Sequence, residues 1–371
     1  MRGSLELGRV WGISVRLHGS WLVVFGLVAW SLAQGYLPAQ HPGWHPVTYW
    51  AVGAAAGLLF FASVLVHELG HARMALRHGL STRSITLFVF GGVAGIRREP
   101  SSPGMELQIA LAGPLTSLAL AGLFGALGLV FAALPTIGVA AGWLAQMNLA
   151  LAVFNTLPGF PLDGGRILRA ALWWWTGRLH RATQLAAFTG QILAFGLVAV
   201  GAVAALGGNL VTGIWLVFIG WFLHGAATAA STESGLRELL RGVTVEQAMS
   251  RDYARVPPEL PLERLVQDEV FGHGRRAFLV VDDGRLRGLL TLHEIKGIPR
   301  QRWRGLTVAD VMRRPEQLTA VGPQEPLLSA LEKLDDGSLA QLPVVSDGQL
   351  LGLLGREQVL HYLRLRAELG E

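Results

Sequence analysis

With 371 residues, 51% of them hydrophobic and only 15% charged, the chain is too apolar for an ordinary soluble protein and calls for a polytopic membrane part. Cysteine is absent, which excludes disulfides and thiolate ligands, so any metal must be held by His, Asp or Glu. The pI near 10.2 would suit nucleic acid, but the arginines are divided among short boundary segments instead of forming one patch, and no nucleic-acid partner is expected.

The N-terminal stretch "LELGRVWGISVRLHGSW" is long and strand-like, unlike the short basic leader of a cleaved signal peptide, so the first helix is expected to stay. Asp, Glu, Lys and Arg are then missing between Arg16 and Glu68, between Glu106 and Asp163, and between Arg181 and Glu233. About 20 apolar residues cross a bilayer, so each gap holds two crossings. The turns "QGYLPAQHPGWHP" (34–46), "LPTIG" (134–138) and "LGGN" (206–209) divide them into six helices, at 18–34, 48–77, 104–133, 139–158, 183–205 and 210–230. Arg2, Arg9 and Arg16 precede the first gap. Arg73, Arg77, Arg83, Arg97 and Arg98 follow it, and Arg166, Arg169, Arg178 and Arg181 follow the second. The turns inside the gaps carry no Lys or Arg. By the positive-inside rule both termini and both charged loops face the cytoplasm of a multi-pass cell-membrane protein.

"VLVHELGHARM" (64–74) closes the second helix. His67 and His71 stand four apart, on one helix face, where both imidazoles can share one zinc ion with Glu68 beside them. Such zinc brings the pKa of water to about 7, and a neighbouring carboxylate can take its proton. A plain helix end capped by polar residues is the alternative. A catalytic zinc needs a third protein ligand. Asp163 in "NTLPGFPLDGG" (155–165) is the first charge met on leaving the fourth helix, and topology brings it to the depth of His67. Its alternative is a helix cap beside Arg166. Pro158, Pro161 and three glycines bend this loop, and irregular backbone at membrane depth is tolerated only where it lines protein or a wet cavity. "SITLFVFGGVAGI" (84–96) is too short and turn-rich to span, and reads as a re-entrant β-hairpin whose edge could hold an unfolded substrate segment.

HExxH in the second helix, "AGPLTS" (112–117) in the third and "NTLPGFPLDGGR" after the fourth together resemble the site-2 protease family of intramembrane metalloproteases. The resemblance covers residues 1 to 230 or so. It implies His67, His71 and Asp163 as ligands of one zinc per protomer and Glu68 as catalytic base, and it puts Asn155 near the active centre, where an amide could bond the substrate or the developing oxyanion. Asn148, two turns earlier, is either a second such amide or an interhelical hydrogen bond. His18 also recurs in the family, with an interfacial cap as its plainest reading. Close packing is the default reading of "AGPLTS".

Beyond Glu233 the sequence turns charged, and it repeats. "GVTVEQAM" (242–249) matches "GLTVADVM" (305–312), and "FLVVDDGRLRGLL" (278–290) matches "LPVVSDGQLLGLL" (342–354). Each unit reads as helix, strand, helix, strand, a turn at Asp-Gly, strand, helix. The pair resembles tandem cystathionine-β-synthase (CBS) domains, which implies adenine-nucleotide binding (AMP or ATP) through a Gly-x-x-Thr/Ser-x-x-Asp pattern. The first unit keeps Gly288, Thr291 and, in place of Asp, Glu294, whereas the second has Gly352, Gly355 and Gln358, without hydroxyl or carboxylate. A CBS pair that only dimerises or docks stays open.

The expected architecture is therefore an α-helical polytopic membrane domain over 1–240, six transmembrane helices with a re-entrant β-hairpin. An α/β CBS pair follows over 241–371, with units at about 242–300 and 305–365. The expected function is zinc-dependent endoproteolysis of a single-pass transmembrane protein near the cytoplasmic side, modulated by nucleotide, with a homodimer through the CBS pair possible. A CBS-regulated channel or transporter is the rival, but the span centres carry no charges to line a path. A catalytically silent relative that binds membrane partners is a second.

Overall fold

The computed structural model describes residues 4–89, 91–96, 99–282, 285–336, 341–346 and 349–369. Arg2, Arg97, Arg98 and the Asp-Gly turns at 283–284 and 347–348, invoked above, lie outside the described residues. The chain divides into two units, Met1–Ser234 and Gly235–Glu371.

Among the described residues six helices are long and apolar enough to cross a membrane: Ser20–Gln40, Pro46–Arg77, Pro103–Val130, Pro135–Asn155, Leu179–Leu206 and Leu210–Leu239. Much of their apolar surface points outward, with Leu129, Leu206 and Val211 all more than 80% exposed, as befits faces solvated by lipid. Prolines set several boundaries. Pro46, Pro103 and Pro135 stand in the first turn, where no backbone donor is needed, and His45 Nδ1 and Ser102 Oγ accept from Val47 N and Met105 N.

The boundaries depart from the sequence expectation in three places. The first helix runs on to Gln40 through a π-helical stretch at Leu32–Tyr36, because Pro38 falls in the first turn of the following α-helical piece and breaks nothing. The fourth begins at Pro135, inside the expected turn, and stops at Asn155 ahead of Pro158. The sixth extends to Leu239. An additional helix, Asp163–Thr176, separates the fourth and fifth spans and was not foreseen. It ends on Gly177, whose φ of +67° suits glycine.

The strand-like N-terminus forms an antiparallel pair, β1 (Ser4–Val10) and β2 (Ile13–His18). β2 pairs in parallel with β3 (Thr82–Phe88), and β3 pairs antiparallel with β4 (Gly91–Ile96), giving a sheet ordered β1-β2-β3-β4. The stretch 84–96 is therefore one end of a larger sheet, and β4 is its edge. Ile13 and Ile85 pack from the sheet onto Ala72 of the second span, next to the metal motif.

In the second unit β5 (Ala254–Val256), β6 (Ala277–Asp282) and β7 (Arg285–Thr291) form one sheet, and β8 (Gln341–Ser346) and β9 (Gln349–Gly355) another. The repeat explains itself in the packing. Ser250 exchanges backbone bonds with Leu353, and Arg313 with Leu289, so each half's leading segment closes the other half's sheet. A β-carbon on Gly352 would come within 2.8 Å of Met249, and one on Gly288 within 2.7 Å of Met312, which is why the Met and Gly recur together. One expected strand is missing. The counterpart of β5 in the second half shrinks to Val321, bridged to Val344.

Candidate active site

Two turns of the second span carry His67 and His71, both almost fully buried, with ring centroids 4.9 Å apart. Their Nε2 atoms stand 3.2 Å from each other. Asp163, the first residue of the helix Asp163–Thr176, brings Oδ2 to 3.2 Å from His67 Nε2 and 3.1 Å from His71 Nε2. Two elements far apart in sequence thus meet at three donor atoms.

The third span supplies the template. Its residues 109, 113 and 117 recur every four positions and face the histidines. Ile109 O accepts from His71 Nδ1 at 2.7 Å, and the Ser117 hydroxyl is bonded to His67 Nδ1 at 2.8 Å. Gly113 lies between them. A β-carbon there would overlap His71 Nε2 and come within 2.7 Å of His67 Nε2, so only glycine leaves room for both. Thr116, three residues on, packs on Gly70 of the second span. "AGPLTS" therefore does more than pack closely.

The loop before Asp163 is equally tight. β-Carbons on Gly164 and Gly165 would overlap the backbone of Thr156–Leu157 and of Gly159–Phe160. Gly190 of the fifth span lets that helix press on the backbone of Phe160, whose N–H donates to Ala186 O at 3.0 Å. The glycines permit a knot that holds Asp163 at a fixed height. Phe160–Pro161 is a cis peptide.

The donor set fits a metal ion. A carbonyl only accepts, so the Ile109 bond puts the proton of His71 on Nδ1 and leaves a lone pair on Nε2. That lone pair points at a carboxylate oxygen and at a second imidazole nitrogen, an arrangement that repels itself unless a cation is shared. Donors bound tetrahedrally to zinc at about 2.0–2.1 Å stand about 3.3 Å apart. The three separations here, 3.1 to 3.2 Å, are close to that edge. His67, His71 and Asp163 also form the metal-competent group found among the described residues.

Glu68 follows His67 and lies against the hairpin. A β-carbon on Gly92 of β4 would overlap its Cγ and come within 3.0 Å of Oε1. Among the described residues the Glu68 carboxylate makes no hydrogen bond or ion pair. Asn155 ends the fourth span, half-buried, its amide likewise without a hydrogen-bond partner among the described residues. Of the two readings of Asn148, the structure has the interhelical bond: fully buried, its Nδ2 donates to Ser63 Oγ on the second span at 3.3 Å and to Leu144 O at 2.8 Å. His18 is a cap, as its Nδ1 accepts from Ser20 N at 3.3 Å, and Ser20 Oγ in turn accepts from Val89 N in the hairpin turn.

In the second unit Thr291 and Glu294 line a cleft of about 560 Å³ together with Arg276, Arg313, Gly355 and Gln358. Both halves of the repeat thus contribute to one cavity. Glu294 is already engaged: it accepts from Thr291 N and Oγ and pairs with Arg313 Nε at 2.7 Å.

Peptidase family M50 matches residues 55–142 and 132–197, and the CBS domain matches 245–298 and 308–365. A Mycobacterium tuberculosis protein bearing the name zinc metalloprotease Rip3 is 40% identical over 338 residues, 90% of this chain and 86% of that protein. One from Synechocystis, named zinc metalloprotease sll0528, is 34% identical over 375 residues, 99% and 97% of the two chains. The solved site-2 protease from Methanocaldococcus jannaschii is 31% identical, with 62% of this chain and 95% of that one covered, at a TM-score of 0.43. The chain belongs to peptidase family M50, the site-2 protease family of multi-pass membrane zinc metalloproteases, in a form that carries a CBS pair.

Proposed function

We propose that this protease cuts a single-pass transmembrane substrate near the cytoplasmic face of the cell membrane, with His67, His71 and Asp163 as the zinc ligands and Glu68 as the general base. The observation that carries this is the meeting of three mutually facing donor atoms beside a carboxylate that has no partner among the described residues. A zinc ion held there supplies Lewis-acid polarisation of the scissile carbonyl and acidifies the attacking water. Glu68 takes the proton of that water as its oxygen bonds to the carbonyl carbon, and delivers it to the amide nitrogen as the C–N bond breaks. The products are a new carboxylate and a new amine. The Asn155 amide donates to the substrate carbonyl or backbone.

A transmembrane helix hides its peptide bonds, so it must unwind before it is cut. The edge of β4, next to Glu68, offers backbone groups on which an unwound segment can lie, and we place this hairpin at membrane depth. Both termini are cytoplasmic on the distribution of arginines. The CBS pair over 241–371 takes adenine nucleotide in the cleft near Thr291 and Glu294, where Arg276 and Arg313 suit phosphate, and it modulates cleavage. It is also the proposed dimer contact.

The test is zinc per protomer in purified wild type, Asp163→Ala and Glu68→Gln, with cleavage of a transmembrane reporter. Wild type and Glu68→Gln should hold one zinc, Asp163→Ala markedly less, and only wild type should cut. Full zinc in Asp163→Ala would remove it from the ligand set. Cleavage by Glu68→Gln at the wild-type rate would remove the base. A rate indifferent to millimolar AMP and ATP would end the nucleotide proposal.

A further inference from the structure

Glu106 is fully buried in the first turn of the third span, and Arg169 is 9% exposed on the helix that begins with Asp163. Arg169 Nε donates to both carboxylate oxygens of Glu106, at 2.9 and 3.0 Å, and its Nη2 donates as well. Arg166, one turn nearer Asp163, brings Nε to 3.6 Å from the same carboxylate. The Arg169 guanidinium lies over the Phe160 ring, 5.1 Å from its centroid, so it also grips the loop that leads into Asp163.

An ion pair withdrawn from water adds little stability, because desolvation offsets most of the attraction, and an apolar pair of equal volume often does as well. What such a pair adds is direction. A planar guanidinium locked on a carboxylate fixes both distance and rotation between the elements that carry it. Here those elements have defined tasks. The third span orients His71 through Ile109, three residues after Glu106, and His67 through Ser117. The helix Asp163–Thr176 carries the third donor at its first residue. The glycine-rich loop sets the height of that donor but holds no charge.

We propose that the Glu106–Arg169 pair is a positioning device for the metal centre, clamping the Asp163 helix to the third span so that the aspartate oxygen meets both imidazoles. It rests on the assignment of His67, His71 and Asp163 as zinc ligands. Neither Glu106 nor Arg169 touches the metal or the substrate; both act through Asp163.

The experiment compares full-length wild type with Glu106→Leu/Arg169→Met, Arg169→Lys and Asp163→Ala. Zinc affinity is measured by competition with a chromogenic chelator, and the visible absorption of cobalt-loaded protein reports the coordination geometry. The apolar pair keeps the interior filled, and the charges it leaves behind, Arg166 and Glu99, reach solvent. It should unfold within a few degrees of wild type yet bind zinc about 10- to 100-fold more weakly, with a weaker cobalt band. Arg169→Lys keeps the charge and loses the fork, and should fall between the two. Should the apolar pair fail to fold, Arg169→Lys alone decides: wild-type affinity and spectrum in it overturn the proposal. Wild-type affinity in the apolar pair, with weakened affinity in Asp163→Ala, overturns the positioning role and leaves the ligand set standing. Wild-type affinity in Asp163→Ala overturns both.

Discussion

Gly113 and His71 are packed so closely that any side chain on the third span would occupy the space of the imidazole Nε2. Gly113→Ala should therefore displace the ring and lower zinc affinity by about 100-fold, with cleavage lost in parallel. Gly122, on the same helix but with open space around its α-carbon, is the control. Gly122→Ala should bind zinc as wild type does, and equal losses in the two variants would mean that the third span answers to helix packing in general. Chelator competition on both variants decides it.

Gly92 separates metal binding from proton transfer. It approaches the Glu68 side chain closely, and a methyl group there must push the carboxylate aside. A displacement of about 1 Å costs on the order of 100-fold in rate when the group transfers a proton. Gly92→Ala should keep one zinc per protomer and lose about two orders of magnitude in turnover. A variant that cuts at the normal rate would show that Glu68 tolerates being moved, which a general base does not.

Ser117 touches neither metal nor substrate, yet its hydroxyl is the partner of His67 Nδ1. Ser117→Ala leaves that nitrogen unpaired in a buried place and frees the ring to rotate. Zinc affinity should drop about 10-fold or more, while Ser117→Thr, which restores a hydroxyl, should recover part of it. Equal affinity in Ser117→Ala and wild type would reduce the contact to packing.

How much of this was legible beforehand follows from the physics of each element. Six helices could be read because lipid tolerates no charge and the chain leaves three long stretches without one. His67 and His71 were legible from their spacing, and Asp163 from the topology that returns it to their depth. The helix Asp163–Thr176 was not, since it starts Asp-Gly-Gly and ends in three tryptophans, a composition that suggests a loop. Ser117, Gly113 and the Ile109 carbonyl were hidden for another reason. A serine or a glycine in an apolar helix usually serves helix packing, and a backbone carbonyl leaves no mark in sequence. Their four-residue spacing was the available signal, and it acquires meaning only once the histidines are known to lie opposite. Arg169 read as a boundary charge until its partner, Glu106, proved to be buried.

Acid should loosen the CBS module through Glu294. Partial burial works against its charge, but the Thr291 hydroxyl, backbone amides and Arg313 outweigh that and hold its pKa below the ordinary carboxylate value. A depressed folded-state pKa means that the charged form favours folding. The contribution is therefore present in full above the unfolded value, about 4.3, and is lost as pH falls through the lower folded value. Its size is modest, about 1 kcal/mol, because Arg313 is 41% exposed and solvent screens the pair. Amide exchange in β6 and β7 of the full-length protein should show high protection near pH 7 that declines below about pH 4. Glu294→Gln should start lower at neutral pH and decline less. The remaining decline belongs to Glu325 and Asp310, both held below their ordinary values: burial opposes the Glu325 charge while Lys333 and Ser329 favour it, and the Thr307 amide and hydroxyl favour the Asp310 charge. Parallel curves for wild type and Glu294→Gln would show that the Thr291 and Arg313 contacts do not persist in solution. In that case the carboxylate would be free to bind ribose hydroxyls in the cleft, and AMP affinity should then fall in Glu294→Gln.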